Sequence, residues 1–348
     1  MEFYLGVDFP PHQQTVAWIE PGTGEIKPRE WLHNTSAVKA FYAALPPAIV
    51  GVEAATQAVW LEALLLEHGH PLWRGNPAAI RARARARHKT DKRDAELWLD
   101  LLRKHEFPTL WRRPAARQQG LDILPLRNRF VRQRTQTNHR LQALAHSLGL
   151  PKGHVKNIAF QTALQACEVN KAQNMLRTHL FELLTQLTAQ IVQLEIWLQQ
   201  QAETEAQVKL LRTQKGVGYL TALSVVHTLG NVQRFSCLRK QVVAFAGLDS
   251  LEQSSAGKVK FGGISKQGNW LLRFLLGQAA HLAARHDGRL QSFYKKLAKR
   301  KAKAVAKTAV ARKLLVKLAI RLRAEITAAE FDARGRTLGA ARKVQGLS

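Results

Sequence analysis

Residues 3–7 form a short apolar run that ends in an acid, Asp8, and the chain repeats this figure at 48–52, which ends in Glu53. Runs of this length bounded by turn residues read as buried strands. Residues 15–19 and 26–32, separated by Pro21-Gly-Thr-Gly24, predict two further strands in an antiparallel meander. Thr35 and Ser36 can cap a helix over 37–45, which Pro46 and Pro47 stop before the strand at 48–53. An amphipathic helix over 57–68, a stop at Gly69 and a strand over 71–75 follow. Three meander strands, then helix, strand, helix and strand, is the element order of an RNase H-like α/β domain. A basic helical segment, 80–88, leads through Lys89-Thr-Asp91-Lys-Arg93-Asp94-Ala95 into an apolar helix over 97–102.

From about residue 127 the pattern is helical without strands. Arg127, Arg129, Arg132, Arg134 and Arg140 crowd a helix almost free of acids. Leucines and isoleucine at 176, 180, 183, 187, 191, 194 and 198 keep steps of three and four, which predicts one long helix over 175–201 with a coiled-coil-like seam. Such a helix serves as an oligomerisation or spacer element, or as one member of a bundle. Near residue 213 a third unit begins, where Lys215-Gly216-Val-Gly218 places a tight turn before a helix that Gly230 ends. This resembles a helix–hairpin–helix, whose backbone N–H groups can hold a phosphate, although a plain turn has the same spelling. A helix over 238–246, a Ser- and Gly-rich loop over 248–268 and a helix over 270–285 come next. Residues 291–324 carry twelve Lys or Arg and no acid, with Leu314, Leu315, Leu318 and Leu322 on a helical period, which reads as an amphipathic basic helix suited to a phosphate backbone.

Composition sharpens this picture. The chain has 348 residues, with 53 Lys plus Arg against 25 Asp plus Glu, a formal net charge of +28. That balance points to a polyanionic partner. With 46% hydrophobic residues there is enough apolar material for two or three cores, which excludes wholesale disorder. Cys167 and Cys237 lie far apart, without metal-ligand spacing, which excludes a disulfide scaffold and a zinc ribbon. The first residues lack the basic start and apolar run of a signal peptide, and no stretch approaches the roughly 18 apolar residues of a membrane span. The expectation is a soluble, cytoplasmic, nucleoid-associated protein with no membrane partner.

Four acids are candidates for a metal site. Asp8 and Glu53 end strands that are neighbours in an RNase H-like sheet, and Asp91 and Asp94, three apart, share one helix face. Each acid alone is an ordinary solvated charge. Their joint placement at strand ends, in a chain poor in acid, favours a shared role. Carboxylates converging on one point repel unless a cation is present, and magnesium takes such hard oxygen ligands. Arg81, Arg83, Arg85, Arg87, Lys89, Lys92 and Arg93 surround the Asp pair and could position phosphates. The second candidate site is the stretch Ser254-Ser255-Ala-Gly-Lys258 to Lys266-Gln-Gly-Asn269, with Lys260 and Arg273, where a hydroxyl could meet a phosphodiester among cations. No His or Asp adjoins the serines, so a protease-like triad is not indicated.

Taken together, Gly-Val-Asp8, Gly-Val-Glu53-Ala, Asn76-Pro77, the Lys-Thr-Asp91-Lys-Arg-Asp94-Ala block, Gly216-Val-Gly218, Phe235, Ala246-Gly-Leu-Asp249, Ser254-Ser255-Ala-Gly-Lys and Gly262-Gly-Ile-Ser-Lys266-Gln-Gly268-Asn269 with Arg273 resemble the insertion-sequence one-ten transposases, including the eleven-eleven branch, the bridge-RNA-guided recombinases. The resemblance implies a fold of α/β plus all-α type: a RuvC-like (RNase H-like) domain over 1–145, a helical coiled-coil spacer over 146–205, a mainly helical C-terminal transposase domain with a helix–hairpin–helix-like element over 206–330, and a tail over 331–348. It implies that Asp8, Glu53, Asp91 and Asp94 hold Mg2+ or Mn2+ and that Ser255 is the nucleophile. Ser254, adjacent, is the alternative, and Ser250 and Ala256 depart from the proline and glycine frequent in the family. Nucleic-acid contacts are expected at Lys89, Arg93, Arg127, Arg129, Arg132, Arg134, Lys215, Gly216, Gly218, Lys258, Lys266, Asn269 and Arg273. The implied partners are donor and target DNA, a structured non-coding guide (bridge) RNA and further copies of the chain, as a dimer to tetramer. A RuvC-like junction nuclease using the acids alone and a non-catalytic basic nucleic-acid-binding protein are the competing readings.

Overall fold

A computed structural model describes residues 3–20, 22–33, 35–54, 59–83, 91–111, 113–255 and 258–334, with side chains at all of these except 78, 91, 115, 116 and 252–261. The chain divides into two compact units, Met1–Arg112 and Arg113–Ser348. Among the described residues no helix is long and apolar enough to cross a membrane.

The first unit is built on a five-stranded sheet in the order β3-β2-β1-β4-β5, from β1 (Phe3–Asp8), β2 (Gln13–Ile19), β3 (Ile26–Leu32), β4 (Ala48–Glu53) and β5 (Leu72–Gly75). β1 pairs antiparallel with β2 and parallel with β4, so the two runs that end in acids lie side by side as the sequence predicts. The exposed strand β3, with Lys27, Pro28, Arg29 and Glu30, forms a charged sheet edge. Helices α1 (Ser36–Ala44) and α2 (Val59–Glu67) follow β3 and β4, and Thr35 caps α1 by accepting from the Val38 amide. Leu5, Val7, Val50 and Val52 share one core with Val38, Tyr42, Leu61 and Leu65. Buried Tyr42 donates its hydroxyl to Gln14, and His70 bridges the Ala48 amide and the Tyr42 carbonyl. A short helix α3 (Pro77–Arg81) precedes α4 (Asp91–Arg103), which covers the opposite face of the sheet.

That face is set by glycine. A Cβ on Gly6 would lie 2.0 Å from the Ala95 carbonyl oxygen and 2.5 Å from the Leu99 nitrogen, so the backbone of β1 touches the backbone of α4. Gly51 on β4 faces Leu102 of the same helix and Phe107 beyond it. The Tyr4 ring meets His105, just past the helix, at 6.3 Å. Helix α4 therefore runs antiparallel to β1, with its first turn toward the end of the sheet where β1 and β4 stop.

The second unit is helical. α5 (Ala115–Ser147) and α7 (Lys171–Thr204) form an antiparallel hairpin, joined through α6 (Ile158–Ala166). Leu124 and Leu198 share one cluster, Arg127 pairs with Glu195, and Leu141 and Leu144 share another cluster with Leu180. The predicted seam is thus used within the chain by Leu180, Leu187, Ile191 and Leu198, while Leu176 and Leu183 stay exposed. One feature differs from expectation. α5 starts twelve residues before Arg127, running through Gly120 and Pro125, and by its contacts it packs within the second compact unit. Gly120 is a packing residue: a Cβ there would lie 2.2 Å from the ring of buried His227.

α8 (Ala206–Arg212) and α9 (Tyr219–Leu229) follow, then a 3-10 turn, a π-helical turn Leu238–Val242 leading into α10 (Val243–Phe245), the strands β6 (Ser250–Ser255) and β7 (Lys258–Ile264), and α11 (Trp270–His286), α12 (Gly288–Ala298) and α13 (Lys303–Ala324). The predicted basic tail helix is not simply a cationic face. Leu314, Leu315, Leu318 and Leu322 enter the core, and several of its cations turn inward with them. Fully buried Arg321 donates to the Ile326 and Leu210 carbonyls and to the Thr213 hydroxyl. Arg323 donates to the Val232 and Phe235 carbonyls. Lys317, also buried, donates to Asp287 at 3.0 Å and Asp332 at 3.1 Å.

Two predictions follow from this packing. Gly6→Ala forces α4 off β1, and thermal unfolding should show a loss of about 1–3 kcal/mol or more, the usual cost of overpacking. Asp287 is buried, which pushes its carboxyl up, but bonds from Lys317 and from the Leu290 and Gln214 nitrogens outweigh burial and hold it below the ordinary carboxylate range. Its stabilisation is therefore present above the unfolded value near pH 3.9 and lost as pH falls through the lower folded value. Asp287→Asn should cost about 3 kcal/mol at pH 7, and acid titration of the melting temperature should show a shallower fall below pH 4 than wild type.

Candidate active site

Side chains on a strand alternate between faces. Val7 and Val52, paired in register, are buried in the α1 and α2 core, so Asp8 and Glu53, one residue on, share the opposite face with Gly6 and Gly51. Both acids are half-buried. They end adjacent parallel strands, on the face that α4 covers and at the end toward which its first turn points. That turn holds Asp91 and Asp94. The end of β1 and β4 and the first turn of α4 thus lie toward one edge of the sheet. Among the described residues no three His, Cys, Asp or Glu side chains stand close enough to hold a metal ion; the Asp91 side chain lies outside those residues. The donor set is all carboxylate oxygen, which suits a hard divalent cation. Lys89 lies outside the described residues, and Arg93 is exposed on α4.

The second candidate site differs from the predicted loop. Ser250–Ser255 and Lys258–Ile264 form a two-stranded ribbon with Ser254 opposite Val259 and Ser255 opposite Lys258. Serine- and glycine-rich composition reads as loop, yet a ribbon meets its polar requirement through backbone pairing, which composition does not report. Ser255 ends β6; the side chains of Ser254, Ser255, Lys258 and Lys260 lie outside the described residues. The ribbon's base is locked. Gly247 and Gly268 have positive φ, and a Cβ on either would collide with the backbone of Gln267 or Phe245 respectively. The Ser265 amide donates to the Asp249 carbonyl at 3.0 Å, and its hydroxyl donates to the Asp249 carboxylate.

Residues 208–295 match the family model described as Transposase IS116/IS110/IS902 family, and residues 5–148 match the DEDD transposase model of IS110 elements. The chain belongs to the IS110 family of transposases. It is similar to a protein of Pseudomonas aeruginosa named "Probable family 20 transposase", at 28% identity over 71% of this chain and 75% of that one. It is also similar to the transposase for insertion sequence element IS1111A of Coxiella burnetii, at 28% over 57% of this chain and 56% of the relative. The transposase for insertion sequence element IS1328 of Yersinia enterocolitica matches at 26% over 70% and 72%. This transposase is accordingly a DNA-cleaving and recombining enzyme, its DEDD domain is of RNase H-like type, and that domain points to use of a divalent metal.

Within the transposase several residues expected at nucleic acid make contacts that hold the fold. Arg273 donates Nη1 to the carbonyls of Ala246 (3.1 Å), Gln267 (2.9 Å) and Gly268 (3.2 Å), stapling both sides of the ribbon base. Asn269 caps α11, accepting from the Leu271 and Leu272 amides. Arg127 is paired with Glu195. Gly216 takes a positive φ and packs on the α11 backbone, where its Cβ would lie 2.6 Å from the Ala283 nitrogen. Gly218, by contrast, has nothing within 4 Å of a Cβ, and Lys215 beside it is exposed. Arg129 and Arg132 on α5 and Lys266 are exposed, and Arg134 is half-buried. The reading of sequence missed Arg312, which donates to the Leu248 carbonyl and, at 3.1 Å, to the Ser250 hydroxyl. The inward direction of one basic residue in a basic helix leaves no sign in composition.

Arg273→Lys keeps the charge but cannot reproduce three carbonyl bonds from one nitrogen geometry. It should lower stability by about 1.5–3 kcal/mol, close to the loss in Arg273→Ala, as read by denaturant unfolding. Recovery of wild-type stability by lysine would show that charge alone matters there.

Proposed function

We propose that this transposase cuts and joins DNA through a covalent phosphoserine at Ser255, with Asp8, Glu53, Asp91 and Asp94 as its metal-binding acids. What supports the reading is that Asp8 and Glu53 end adjacent parallel strands and that the first turn of α4, which carries Asp91 and Asp94, points toward that end of the sheet. A divalent cation held there, Mg2+ or Mn2+, would supply Lewis-acid activation of the scissile phosphate. The Ser255 oxygen forms a bond to phosphorus as the bond to the leaving deoxyribose oxygen breaks, and that oxygen leaves as a free hydroxyl. A hydroxyl of the partner strand then attacks the phosphoserine and restores the serine. Phosphodiester energy is conserved in the covalent link, so no ATP is consumed.

Choice of site, on this reading, rests on a structured RNA that pairs with donor and target DNA, and the protein supplies backbone contacts. Exposed Arg129, Arg132, Lys215, Lys266 and the lysines of α12 support that division of labour. The acids of one copy act with the serine of another in a dimer or tetramer, a reading that the exposed Met175, Leu176 and Leu183 of α7 support.

The test incubates full-length protein with its RNA, magnesium and labelled DNA spanning the element junction, and looks for a denaturation-resistant adduct. Wild type should form it; Ser255→Ala and Asp91→Asn should not, and Ser254→Ala should. Metal-dependent cutting that survives Ser255→Ala would establish a junction nuclease instead, and an adduct lost only in Ser254→Ala would move the nucleophile by one residue.

A further inference from the structure

The second unit holds a cavity of about 510 Å3, within the range of sites for small ligands. Arg113, Gln118, Thr228, Phe245, Gln267 and Asn269 line it. Phe245 is 37% exposed, and Leu121 and Ala244 add apolar surface to the same wall. The guanidinium carbon of Arg234 lies 4.7 Å from the Phe245 ring centroid and 4.1 Å from that of Phe235. Arg113 is held at the wall by donating Nε to the His227 carbonyl and Nη1 to the Gln118 side chain, each at 2.8 Å.

Burial holds the Arg113 guanidinium below its usual range despite the nearby charge of Asp122. Burial and the charge of Arg113 together do the same to Arg234. An aromatic face, amide and hydroxyl groups, and a guanidinium pair match the three parts of a nucleotide: the flat base, its polar edges and its phosphate.

We propose that this cavity receives one nucleotide of the DNA strand being processed, turned out of its stack, with the base on Phe245 and the phosphate at Arg113 and Arg234. DNA is favoured over RNA by position. The wall at Gln267 and Asn269 continues from β7, the strand paired with the one that carries Ser255, so DNA led along the ribbon passes this opening. Extruding a nucleotide would also register the strand. The inference rests on the DNA-processing reading of the chain and is independent of which residue is the nucleophile.

The test measures fluorescence anisotropy of the full chain in a Ser255→Ala background with three probes: short single-stranded DNA of mixed sequence, RNA of the same sequence, and the DNA duplex. Phe245→Ala and Arg234→Gln should each weaken single-stranded DNA binding about tenfold or more, with duplex binding held within about twofold and Phe245→Trp retaining affinity. Both side chains are exposed, and an unchanged melting temperature checks folding. Unchanged binding in both variants, or equal losses on duplex and single strand, would overturn the proposal. So would a loss confined to RNA, which would make the cavity an RNA site. Wild-type protein that forms no adduct, yet binds single strands through Phe245, would sink the phosphoserine reading alone.

Discussion

The contact between the backbones of β1 and α4 at Gly6 is the constraint on which the acid edge depends. A helix usually stands off a sheet by the thickness of two side-chain layers, and here the absence of one Cβ lets the Ala95 turn rest on the strand itself. A rigid helix seated at one point and one angle has its first turn fixed as well, so Asp91 and Asp94 are located by a contact one turn further on. Asp8 and Glu53 need no such device, because pairing of β1 with β4 sets them side by side.

The second unit uses the same device several times, with a different partner in each case. Gly216 seats the α8–α9 turn on α11, Gly120 admits the His227 ring, and Gly247 and Gly268 interlock the two segments at the ribbon base. Around these close approaches the unpaired carbonyls are taken up by guanidinium groups. Arg273, Arg312, Arg321 and Arg323 each donate to backbone oxygen, and Lys317 neutralises Asp287. Net charge therefore overstates what faces nucleic acid. In α13 the inward cations are structural, whereas Lys295, Lys296, Lys299, Arg300 and Lys301 at the end of α12 and beyond stay exposed.

The alternation of the first unit was legible because a strand that must bury one face writes its period into the sequence, and the acids at its ends interrupt an apolar run. The helix Lys171–Thr204 was legible for the same reason, although its seam is satisfied by α5 rather than by a second copy alone. The start of α5 was not, since Gly120 and Pro125 read as breakers while packing against His227 overrides propensity. Nor was the division of cations into inward and outward sets. Arg273 and Asn269 stand in a block that reads as catalytic, and their roles depend on carbonyls and amides whose positions only the fold supplies. The signal that was present lay in Gly247 and Gly268: paired glycines flanking a Ser-rich stretch mark a closed base rather than an open loop.

That closed base bears on how a serine on a ribbon can be placed. Ser255 lies five residues from Ser250, about 17 Å along an extended strand. A two-stranded ribbon is marginally stable by its own pairing, so its direction cannot be set at the tip. It is set by the interlocked glycines, the Asp249–Ser265 bonds and the reach of Arg273 and Arg312 to both sides of the base. The acid edge and the serine are thus held by opposite strategies. Asp8 and Glu53 sit at the ends of paired strands and Asp91 and Asp94 on a helix seated against them, while Ser255 ends a strand whose locked part is its base. A substrate strand that fills the cavity beside that base would meet the ribbon where it is locked.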